Sequence, residues 1–515
     1  MGKIRHVRSN VPWWGPVVVL GIILVAGYQQ VPALGGAQPV ARSAEGKTPG
    51  WDGVDPQYLM FWSGVEGVPD LLKHLGTTGD GKSHQLGFGV PFNTFEVEAV
   101  IPAKIHAAFA TARKYNLAVA FSFDHQNFWR NRPDLWNWFD PDKPGYNPAN
   151  KNNVEWSDWK GTPNKARYLN WGSAERLAPH MCFTSPAIRH EVTRIVTTVA
   201  GPALTSELAQ LKAEHKEYLF MGILVNSEPK IDDYTVAGQD VDPATQKLME
   251  QDGAPRVALG YCALTARGFS ENNPPPDFRK ALSEVNQEYV AFWAKQFVDA
   301  GIPTSRLYTH VAAPFIQERT NGPIWVAFND YSRPGWSTYP VRFLAADFRA
   351  LYVELDKHGD PPWGGVEANA GFPLGAPTVD WEEYLGRHFN HGAKLVGINY
   401  GASSDKLTNL LRDSAYSPEA IAAYKKFLAG EHLQEVVARP AAAPGGGEPP
   451  ASLRRKERLV QAGLQRMQQE GGDPTPVRQI MQEFRPLMQA GKFPEAEAVL
   501  DRALELVNKM APPSY

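Results

Sequence analysis

The sequence predicts an α/β fold, a (β/α)8 TIM barrel with long Trp-rich loops plus a small C-terminal α-helical module. Between residues 55 and 433, short apolar segments alternate with amphipathic segments of helical periodicity. The apolar segments are mostly continuous rather than alternating, which is typical of parallel strands covered on both faces. Near residue 441 the composition changes to AAAPGGGEPP, a flexible tether. These features predict eight strand–helix units followed by a separate helical segment.

Eight apolar segments are predicted to be the barrel strands. They are residues 58–62, 85–90, 117–123, 219–225, 306–311, 324–328, 364–367 and 394–399. Amphipathic segments lie between them; Ile105, Ala108, Phe109 and Ala112, for example, recur at helical spacing. The structural alternative is a doubly wound open sheet, which usually carries a Gly-rich phosphate-binding turn after its first strand. No such turn is visible in the sequence, which favours the barrel.

The chain is predicted to comprise five segments. These are residues 1–37, a signal peptide or N-terminal membrane anchor; 38–54, a linker; 55–433, the barrel; 434–452, a linker rich in Pro, Gly and Ala; and 453–511, a helical hairpin. The first segment places Lys3, Arg5 and Arg8 before an apolar run at 13–28, the layout of a secretory signal. Because this run approaches the length that spans a bilayer, cleavage and membrane anchoring both stay open. We therefore expect an exported protein that is periplasmic, extracellular or membrane-anchored.

The composition excludes some partners and leaves others open. The formal net charge is −3, so no strong field drives binding to nucleic acid or to anionic lipid. Residues 127–178, after the third predicted strand, are rich in Trp. These rings either stack on flat apolar faces such as those of sugars or form an aromatic mini-core of the loop. The two cysteines, Cys182 and Cys262, either pair in an oxidising compartment or stay buried thiols.

Two glutamates follow predicted strands directly. Glu228 lies in MGILVNSEPKIDD, after the fourth strand, and Glu367 lies in PPWGGVEANAGFP, at the end of the seventh. A carboxyl group directly after a buried strand is poorly solvated, which raises its pKa and suits a general acid. Either glutamate alone is equally consistent with a structural carboxylate. Hydrolysis of a glycosidic bond, however, requires two carboxyl groups, and in a barrel they belong at the C-terminal ends of strands.

The order of these two glutamates resembles that of the clan of retaining (β/α)8 glycoside hydrolases, and loosely that of family 42 β-galactosidases. The resemblance covers residues 55–430 and implies that Glu228 is the acid/base and Glu367 the nucleophile. It implies hydrolysis of O-glycosidic bonds in a β-linked oligo- or polysaccharide, and a carboxyl separation of about 5–5.5 Å. The sequence departs from the clan at one position. The clan has Asn immediately before the acid/base, whereas here Ser227 separates Asn226 from Glu228.

Further polar and aromatic residues stand near the predicted strand ends. The predicted substrate-binding residues are Trp62, Asp124, His125, Asn226, His310, Asn329, Tyr331, Trp336, Asn369 and Tyr400. The polar side chains are expected to bond sugar hydroxyls, and Trp62 or Trp336 to stack on a ring. Each alone is more often structural than functional. Their repeated position at the mouth of the barrel favours a polar cleft for a carbohydrate.

A metal site is a weaker interpretation of the same residues. Asp124, His125 and His310 could converge as ligands, but barrel metallohydrolases usually show His-x-His after the first strand. Here that position reads Trp62-Ser63-Gly64. The sequence also has no Gly-x-Ser-x-Gly elbow, phosphate loop or Cys-x-x-Cys pair. We therefore predict no metal and no cofactor.

The C-terminal segment predicts two apolar helices. One stripe comprises Val477, Ile480, Met481, Phe484 and Leu487, and the second comprises Ala496, Val499, Leu500, Ala503 and Leu504. The stretch QAGKFPEAEAVLDRALEL resembles a tetratricopeptide-type hairpin. Because one such repeat cannot bury a full core alone, it is expected to pack on the barrel, self-associate or bind a protein partner. Two alternative functions stay open. The barrel could be a non-catalytic carbohydrate-binding domain at the cell surface, or the protein could be a scaffold that recruits a partner through these helices.

Overall fold

The structure is a computed structural model that divides into two units, one of barrel residues up to 435 and one of C-terminal residues from 456. It describes residues 55–95, 97–124, 129–170, 174–231, 243–254, 257–312, 322–339, 345–370, 380–399 and 406–435 of the first unit. In the second it describes residues 456, 460, 464, 474–481, 483–484, 487 and 492–510. The predicted signal or anchor and the first linker, residues 1–54, lie outside this range.

The first unit contains an eight-stranded parallel sheet and a two-stranded antiparallel hairpin. The strands of the large sheet are β1 (Gln57–Phe61), β2 (His84–Asn93), β3 (Ala118–Asp124), β6 (Phe220–Val225), β7 (Leu307–Thr309), β8 (Gly335–Ser337), β9 (Trp363–Ala368) and β10 (Ala393–Ile398). The hairpin, β4 (Arg167–Asn170) and β5 (Ala174–Leu177), lies in the Trp-rich insert after β3. The order of the large sheet is β7-β6-β3-β2-β1-β10-β9-β8.

Backbone hydrogen bonds join the two outer strands, β7 and β8. The amide of Thr309 donates to the carbonyl of Arg333 at 2.9 Å, and that of Val311 to Gly335 at 3.0 Å. The amide of Ser337 donates back to Val311 at 3.0 Å. The sheet therefore closes on itself, and the predicted (β/α)8 barrel is confirmed.

Both faces of the strands are buried, which explains the continuous apolar segments. Along β1, Tyr58 and Met60 point into the barrel, whereas Leu59 and Phe61 point toward the helices. The interior of the barrel is filled by large side chains and by residues small enough to admit them. They are Tyr58, Met60, Ala118, Ala120, Met221, Leu224, Tyr308, Val366 and Leu395, all fully buried.

Helices surround the barrel. Among the described residues of the first unit, the α-helices are Val68–Leu75, Val100–Tyr115, Pro133–Trp136, Pro186–Arg194, Gly201–Ala213, Pro243–Gln251, Tyr261–Ala266, Phe278–Asp299, Ala345–Lys357, Trp381–Phe389, Lys406–Ala415 and Pro418–Leu428. Several begin at a residue whose side chain accepts a hydrogen bond from an amide of the first turn. Asp277, for example, accepts from the amide of Lys280, and Ser417 accepts from Ala420.

The sixth strand is not where the sequence predicted it. The apolar segment 324–328 contains a 3-10 helix, Ile324–Ala327, and the strand is β8 instead. Val326 and Ala327 are fully buried. A short apolar run is compatible with either a buried strand or a buried helical turn, and its periodicity does not distinguish them. β8 is only three residues long, Gly-Trp-Ser, and has no apolar run of its own.

The second unit contains the helices Thr475–Met481 and Phe493–Met510. Both predicted apolar stripes contribute to one cluster, in which Val477, Leu500 and Ala503 are fully buried beside Val460. The resemblance to a tetratricopeptide hairpin, and the role in self-association or partner binding, stay predictions.

Two further sequence-based questions concern the membrane and the cysteines. Across the described part of the chain, every helix is too short or too polar to cross a bilayer. Cys182 and Cys262 are both buried as free thiols. The amide of Cys182 donates to the carbonyl of Asn153, and the thiol of Cys262 lies 3.6 Å from the carbonyl of Asn152.

Candidate active site

The barrel places Glu228 and Glu367 at the same end of the sheet, on strands that β7 and β8 separate. Glu228 lies three residues beyond β6, and Glu367 is the penultimate residue of β9. Only 8% of Glu228 and 7% of Glu367 is exposed. Counted around the barrel, these are the C-terminal ends of strands four and seven, where a (β/α)8 barrel holds its functional groups.

The chain turns sharply after β6 to aim Glu228. Asn226 has φ +45° and Glu228 has φ +44°, both in the left-handed region that residues with a Cβ atom rarely adopt. The turn is held because the amide of Glu228 donates to the carbonyl of His310 at 2.9 Å. In an extended strand, Asn226 and Glu228 would point to the same face, because one residue, Ser227, separates them. The left-handed turn means that the chain is not extended here. Such backbone strain, of about 1–3 kcal/mol per residue, clusters at functional sites.

A serine and a histidine bridge the two carboxyl groups. The Oγ hydroxyl of Ser337 donates to Oε1 of Glu228 at 2.7 Å. Nε2 of His310 lies 2.9 Å from the same Oγ atom and 3.5 Å from Oε2 of Glu367. Both bridging residues are 1% exposed. The contacts thus form one buried chain from Glu228 to Glu367.

The other carboxyl oxygen of Glu367 accepts two hydrogen bonds. The Tyr339 hydroxyl donates to Oε1 at 2.7 Å, and Nδ2 of Asn399 donates to the same atom at 3.0 Å. Nδ2 of Asn399 also lies 2.8 Å from the Tyr339 oxygen. Burial and the negative charge of Glu367 hold the pKa of Tyr339 well above its usual value, so the phenol stays a donor. Both donors stabilise the ionised form of Glu367.

Burial opposes those donors. It raises the pKa of Glu367 to about 8, assisted by the charge of Glu228 and, more weakly, by that of Asp124. Burial and the neighbouring charge of Glu228 therefore favour the protonated form of Glu367 near neutral pH. Burial also lowers the pKa of His310 to about 4, so its imidazole is neutral near pH 7. Lys230 is the nearby cation; its Nζ atom lies 3.6 Å from Oε2 of Glu228.

Several predicted binding residues lie at this end of the barrel. Asp124 is the last residue of β3 and is 6% exposed. Asn226 is fully buried, and within the described part of the chain neither of its amide atoms has a hydrogen-bond partner. Trp62 is half-buried, with Nε1 donating to the carbonyl of Val366 at 3.1 Å. Asn369 is occupied structurally, because its Nδ2 atom donates to the carbonyls of Asn399 and Leu411.

Trp336 is a correction to the predicted site. It is fully buried, its ring centroid lies 5.7 Å from that of Phe328 and 6.1 Å from that of Trp363, and its Nε1 atom donates to the carbonyl of Ile324. The ring faces the core between sheet and helices because Trp336 is the middle residue of β8. It has no exposed face for a sugar.

Asn329 and Tyr331 are a second correction. They were expected to follow the sixth strand, but they precede β8 and so lie at the amino end of the barrel, opposite the glutamates. Asn329 builds a turn there, with Oδ1 accepting from the amide of Tyr331 and Nδ2 donating to Ser332. Both errors follow from the misplaced strand.

His125 and Tyr400 lie outside the described residues. Among the residues that are described, no group of three or more His, Cys, Asp or Glu side chains is arranged to hold a metal ion. The Trp-rich insert supports the mini-core interpretation at four of its indoles. Trp136, Trp138 and Trp156 donate their Nε1 hydrogens to carbonyls of the insert itself, and Trp129 donates to the carbonyl of Pro179, the residue that follows the insert.

The predicted set lacked four residues of the site: Lys230, Ser337, Tyr339 and Asn399. Ser337 and Tyr339 were not predicted because the sixth strand was placed at 324–328, so these two residues did not stand at the end of a predicted strand. The signal that locates them is the segment Gly335-Trp336-Ser337-Thr338-Tyr339, a short strand ending in hydroxyl-bearing residues. Lys230 follows Glu228 closely enough to be named from the sequence, but its contact with Oε2 depends on the left-handed turn.

Comparisons with known proteins add a likeness in fold. No family model and no curated protein matches the chain. Among solved structures, the catalytic domain of β-amylase from Paenibacillus polymyxa is similar at 10% identity and a TM-score of 0.40, over 74% of this chain and 99% of that one. The GH26 endo-β-1,4-mannanase of Bacillus sp. JAMB-750 gives 10% identity and 0.36, over 73% and 86%.

A glycoside hydrolase family 5 enzyme from Prevotella bryantii B14 gives 9% identity and a TM-score of 0.33, over 70% of this chain and 86% of that one. At such identities and scores, the likenesses leave the function to be argued from the site itself.

Proposed function

We propose that this protein is an exported glycoside hydrolase that cleaves O-glycosidic bonds of β-linked oligo- or polysaccharides with retention of configuration. One observation carries the proposal: two buried carboxyl groups, at the C-terminal ends of barrel strands four and seven, are linked by contacts through Ser337 and His310, and burial raises the pKa of one of them, Glu367. A proton donor paired with a carboxylate is the requirement of this hydrolysis.

Glu367 is proposed as the nucleophile. Tyr339 and Asn399 both donate to Oε1, which leaves Oε2 as the oxygen that attacks the anomeric carbon. The two donors hold the carboxyl plane and stabilise its ionised form. Attack forms a covalent glycosyl ester, and the leaving oxygen departs on the opposite side of the sugar ring.

Glu228 is proposed as the acid/base. It protonates the leaving oxygen in the first step and removes a proton from water in the second. The contacts that join Glu228 to Glu367 measure 2.7, 2.9 and 3.5 Å, and laid end to end they do not reach about 10 Å, beyond which neither hydrolytic geometry operates. This weighs against the alternative of a purely sugar-binding barrel. The separation of about 5–5.5 Å stays a prediction.

Asp124 and Trp62 are proposed to contact the sugar. Asn226 is fully buried in the ligand-free protein, so its proposed contact requires its side chain to turn toward the cleft when the sugar binds. The unpartnered amide of Asn226 offers both a donor and an acceptor next to Glu228, and sugar hydroxyls satisfy both. His125 and Tyr400 stay in the proposed binding set on sequence grounds alone. Export, with a cleaved signal or an anchor in residues 1–37, and partner binding or self-association by the C-terminal helices are likewise proposals from the sequence.

The test is a panel of aryl β- and α-glycosides and β-linked polysaccharides, assayed with the full chain and with Glu367→Gln. Activity should fall at least about 10³-fold in this variant. Glu288→Gln, an exposed glutamate on helix Phe278–Asp299, is the matched control and should retain wild-type activity. A 2-deoxy-2-fluoro glycoside of the cleaved sugar should label Glu367, as read by peptide mass spectrometry. A fully active Glu367→Gln variant, or a label on another residue, contradicts the assignment.

A further inference from the structure

The buried bridge between the two carboxyl groups has a chemical consequence. The proposed first step needs Glu228 protonated and Glu367 ionised. In the ligand-free protein, however, burial and the charge of Glu228 favour a proton on Glu367. Lys230, 3.6 Å from Glu228, favours a charge on Glu228. Glu367 therefore has to lose a proton, and Glu228 has to hold one, before the first step can begin.

We propose that His310 and Ser337 form a proton path that carries this proton from Glu367 to Glu228. The role of this path in catalysis rests on the proposed function. The path itself is argued from the contacts between the side chains. Nε2 of His310 contacts Oε2 of Glu367 on one side and Oγ of Ser337 on the other, and Oγ of Ser337 contacts Oε1 of Glu228.

The transfer balances without any outside reactant. In the tautomer of His310 that carries its ring proton on Nδ1, a proton leaves Oε2 of Glu367 and binds the free Nε2 atom. The same proton passes to Oγ of Ser337 while the hydroxyl proton of Ser337 moves to Oε1 of Glu228. Glu367 ends as a carboxylate, Glu228 as a carboxylic acid, and His310 and Ser337 return to neutral forms. No electrons are exchanged with another molecule.

The surroundings of His310 favour transient protonation of its ring over a stable imidazolium. The ring is 1% exposed, and burial lowers its pKa to about 4, so the imidazolium forms only in passing. The charged and titratable groups that act on the path are Glu228, Glu367, Lys230, Asp124 and Tyr339. Because both glutamates are more than nine-tenths buried, bulk water has little access to their carboxyl groups, which favours an internal route for the proton.

Ser337 and His310 are therefore positioning residues that act through Glu228, and a double-mutant cycle tests them. We compare Ser337→Ala, His310→Asn and the double variant on a phenyl glycoside, whose leaving group needs an acid. Each single variant should lose about tenfold in kcat/KM, and the double variant should lose no more than either, because links in one path fail together. A loss of about a hundredfold in kcat/KM of the double variant, the product of the two single losses, overturns the proposal.

A dinitrophenyl glycoside is the matched substrate, since its leaving group departs without a proton. Ser337→Ala should change its kcat/KM less than about twofold, whereas a displaced Glu367 would lower both substrates alike. Ser332→Ala, at the amino end of the barrel, should leave both substrates at wild-type rates. Ser337→Thr, which keeps the hydroxyl, should restore most of the phenyl glycoside activity. Equal losses on the two substrates reject the path.

One measurement separates failure of the path from failure of the proposed hydrolysis. Carbon-13 relaxation dispersion of the Glu228 and Glu367 carboxyl signals, in ligand-free full-length protein near pH 7, reports proton exchange between them. The wild type should exchange at least about tenfold faster than Ser337→Ala or His310→Asn. Equal exchange rates in all three proteins overturn the path even if a glycoside is cleaved. Slowed exchange supports it even if no tested glycoside is cleaved.

Discussion

The Tyr339 hydroxyl donates a 2.7 Å hydrogen bond to Oε1 of Glu367, on the carboxyl oxygen that His310 does not contact. The phenol is buried and remains protonated, since its pKa lies well above the usual value. It therefore opposes the burial that raises the pKa of Glu367 to about 8. The balance between this bond and burial decides how much of Glu367 is ionised at neutral pH.

Replacing Tyr339 with Phe should shift that balance. Loss of a hydrogen bond to a charged group costs about 1.5–3 kcal/mol, so the pKa of Glu367 should rise further. We expect kcat/KM near pH 6 to fall about 10–100-fold and the ascending limb of its pH profile to move toward alkaline pH. The exposed Tyr146→Phe is the control and should match the wild type. An unmoved limb would show that the Tyr339 bond does not govern ionisation of Glu367.

Glu367 should also make the stability of the protein depend on pH. Its folded pKa of about 8 lies above the usual 4.5, so between these values the folded protein holds a proton that the unfolded chain lacks. Stability from this group is therefore present at low pH and is lost as the pH rises through about 8. A neutral glutamine at the same position avoids this loss.

Glu367→Gln should consequently be more stable than the wild type at pH 9 by about 2–4 kcal/mol, and nearly equal to it at pH 5. Urea denaturation at the two pH values measures the difference. The control Glu288→Gln, on an exposed glutamate, should show no such pH dependence. A gain at pH 5 that equals the gain at pH 9 would mean that the carboxyl group is not held protonated by burial.

The barrel was predictable because both faces of its strands are buried, which leaves continuous apolar runs in the sequence. Seven predicted strands overlap the observed ones. The sixth did not, because Ile324–Ala327 is apolar for a different reason: it is a 3-10 turn buried against helices. The true strand is three residues long and carries only one apolar side chain, Trp336, so no periodicity was available to locate it.

The two glutamates were identifiable because each lies at or just beyond the C-terminal end of a strand that the sequence predicted correctly. Several of their partners were not. Ser337 and Tyr339 follow the strand that was misplaced, and Lys230 contacts Glu228 only through the left-handed conformations at Asn226 and Glu228. Those conformations depend on a bond from the amide of Glu228 to the carbonyl of His310, more than eighty residues along the chain. Such long-range contacts leave no pattern in a single sequence.

Trp336 should behave as a core residue rather than as a sugar platform. Its ring is fully buried between Phe328 and Trp363, so Trp336→Ala should lower the free energy of unfolding by about 3–5 kcal/mol. KM should stay within about twofold for the protein that remains folded, because the ring touches no ligand. Denaturant unfolding and steady-state kinetics on the same samples check both. Stability within 1 kcal/mol of the wild type, with a large rise in KM, would restore Trp336 to the binding site.

Substitutions of Asn226 should raise the stability of the ligand-free protein while they weaken substrate binding. Its φ of +45° is unfavourable for a residue with a Cβ atom but acceptable for glycine, and its buried amide has no partner among the described residues. Asn226→Gly removes both penalties and should stabilise the ligand-free protein by about 1–2 kcal/mol. Asn226→Ala removes only the unpaired amide, keeps the strained φ, and should stabilise it less.

The same amide is proposed to bond the sugar, so both variants should bind substrate more weakly. We expect kcat/KM to fall about tenfold or more in each, since a sugar hydroxyl loses its partner in both. Thermal unfolding with and without the cleaved glycoside measures the two effects together. If Asn226→Gly destabilises the ligand-free protein, the amide is satisfied by a group such as ordered water. If it stabilises the protein without loss of activity, Asn226 is strained for a reason other than substrate binding.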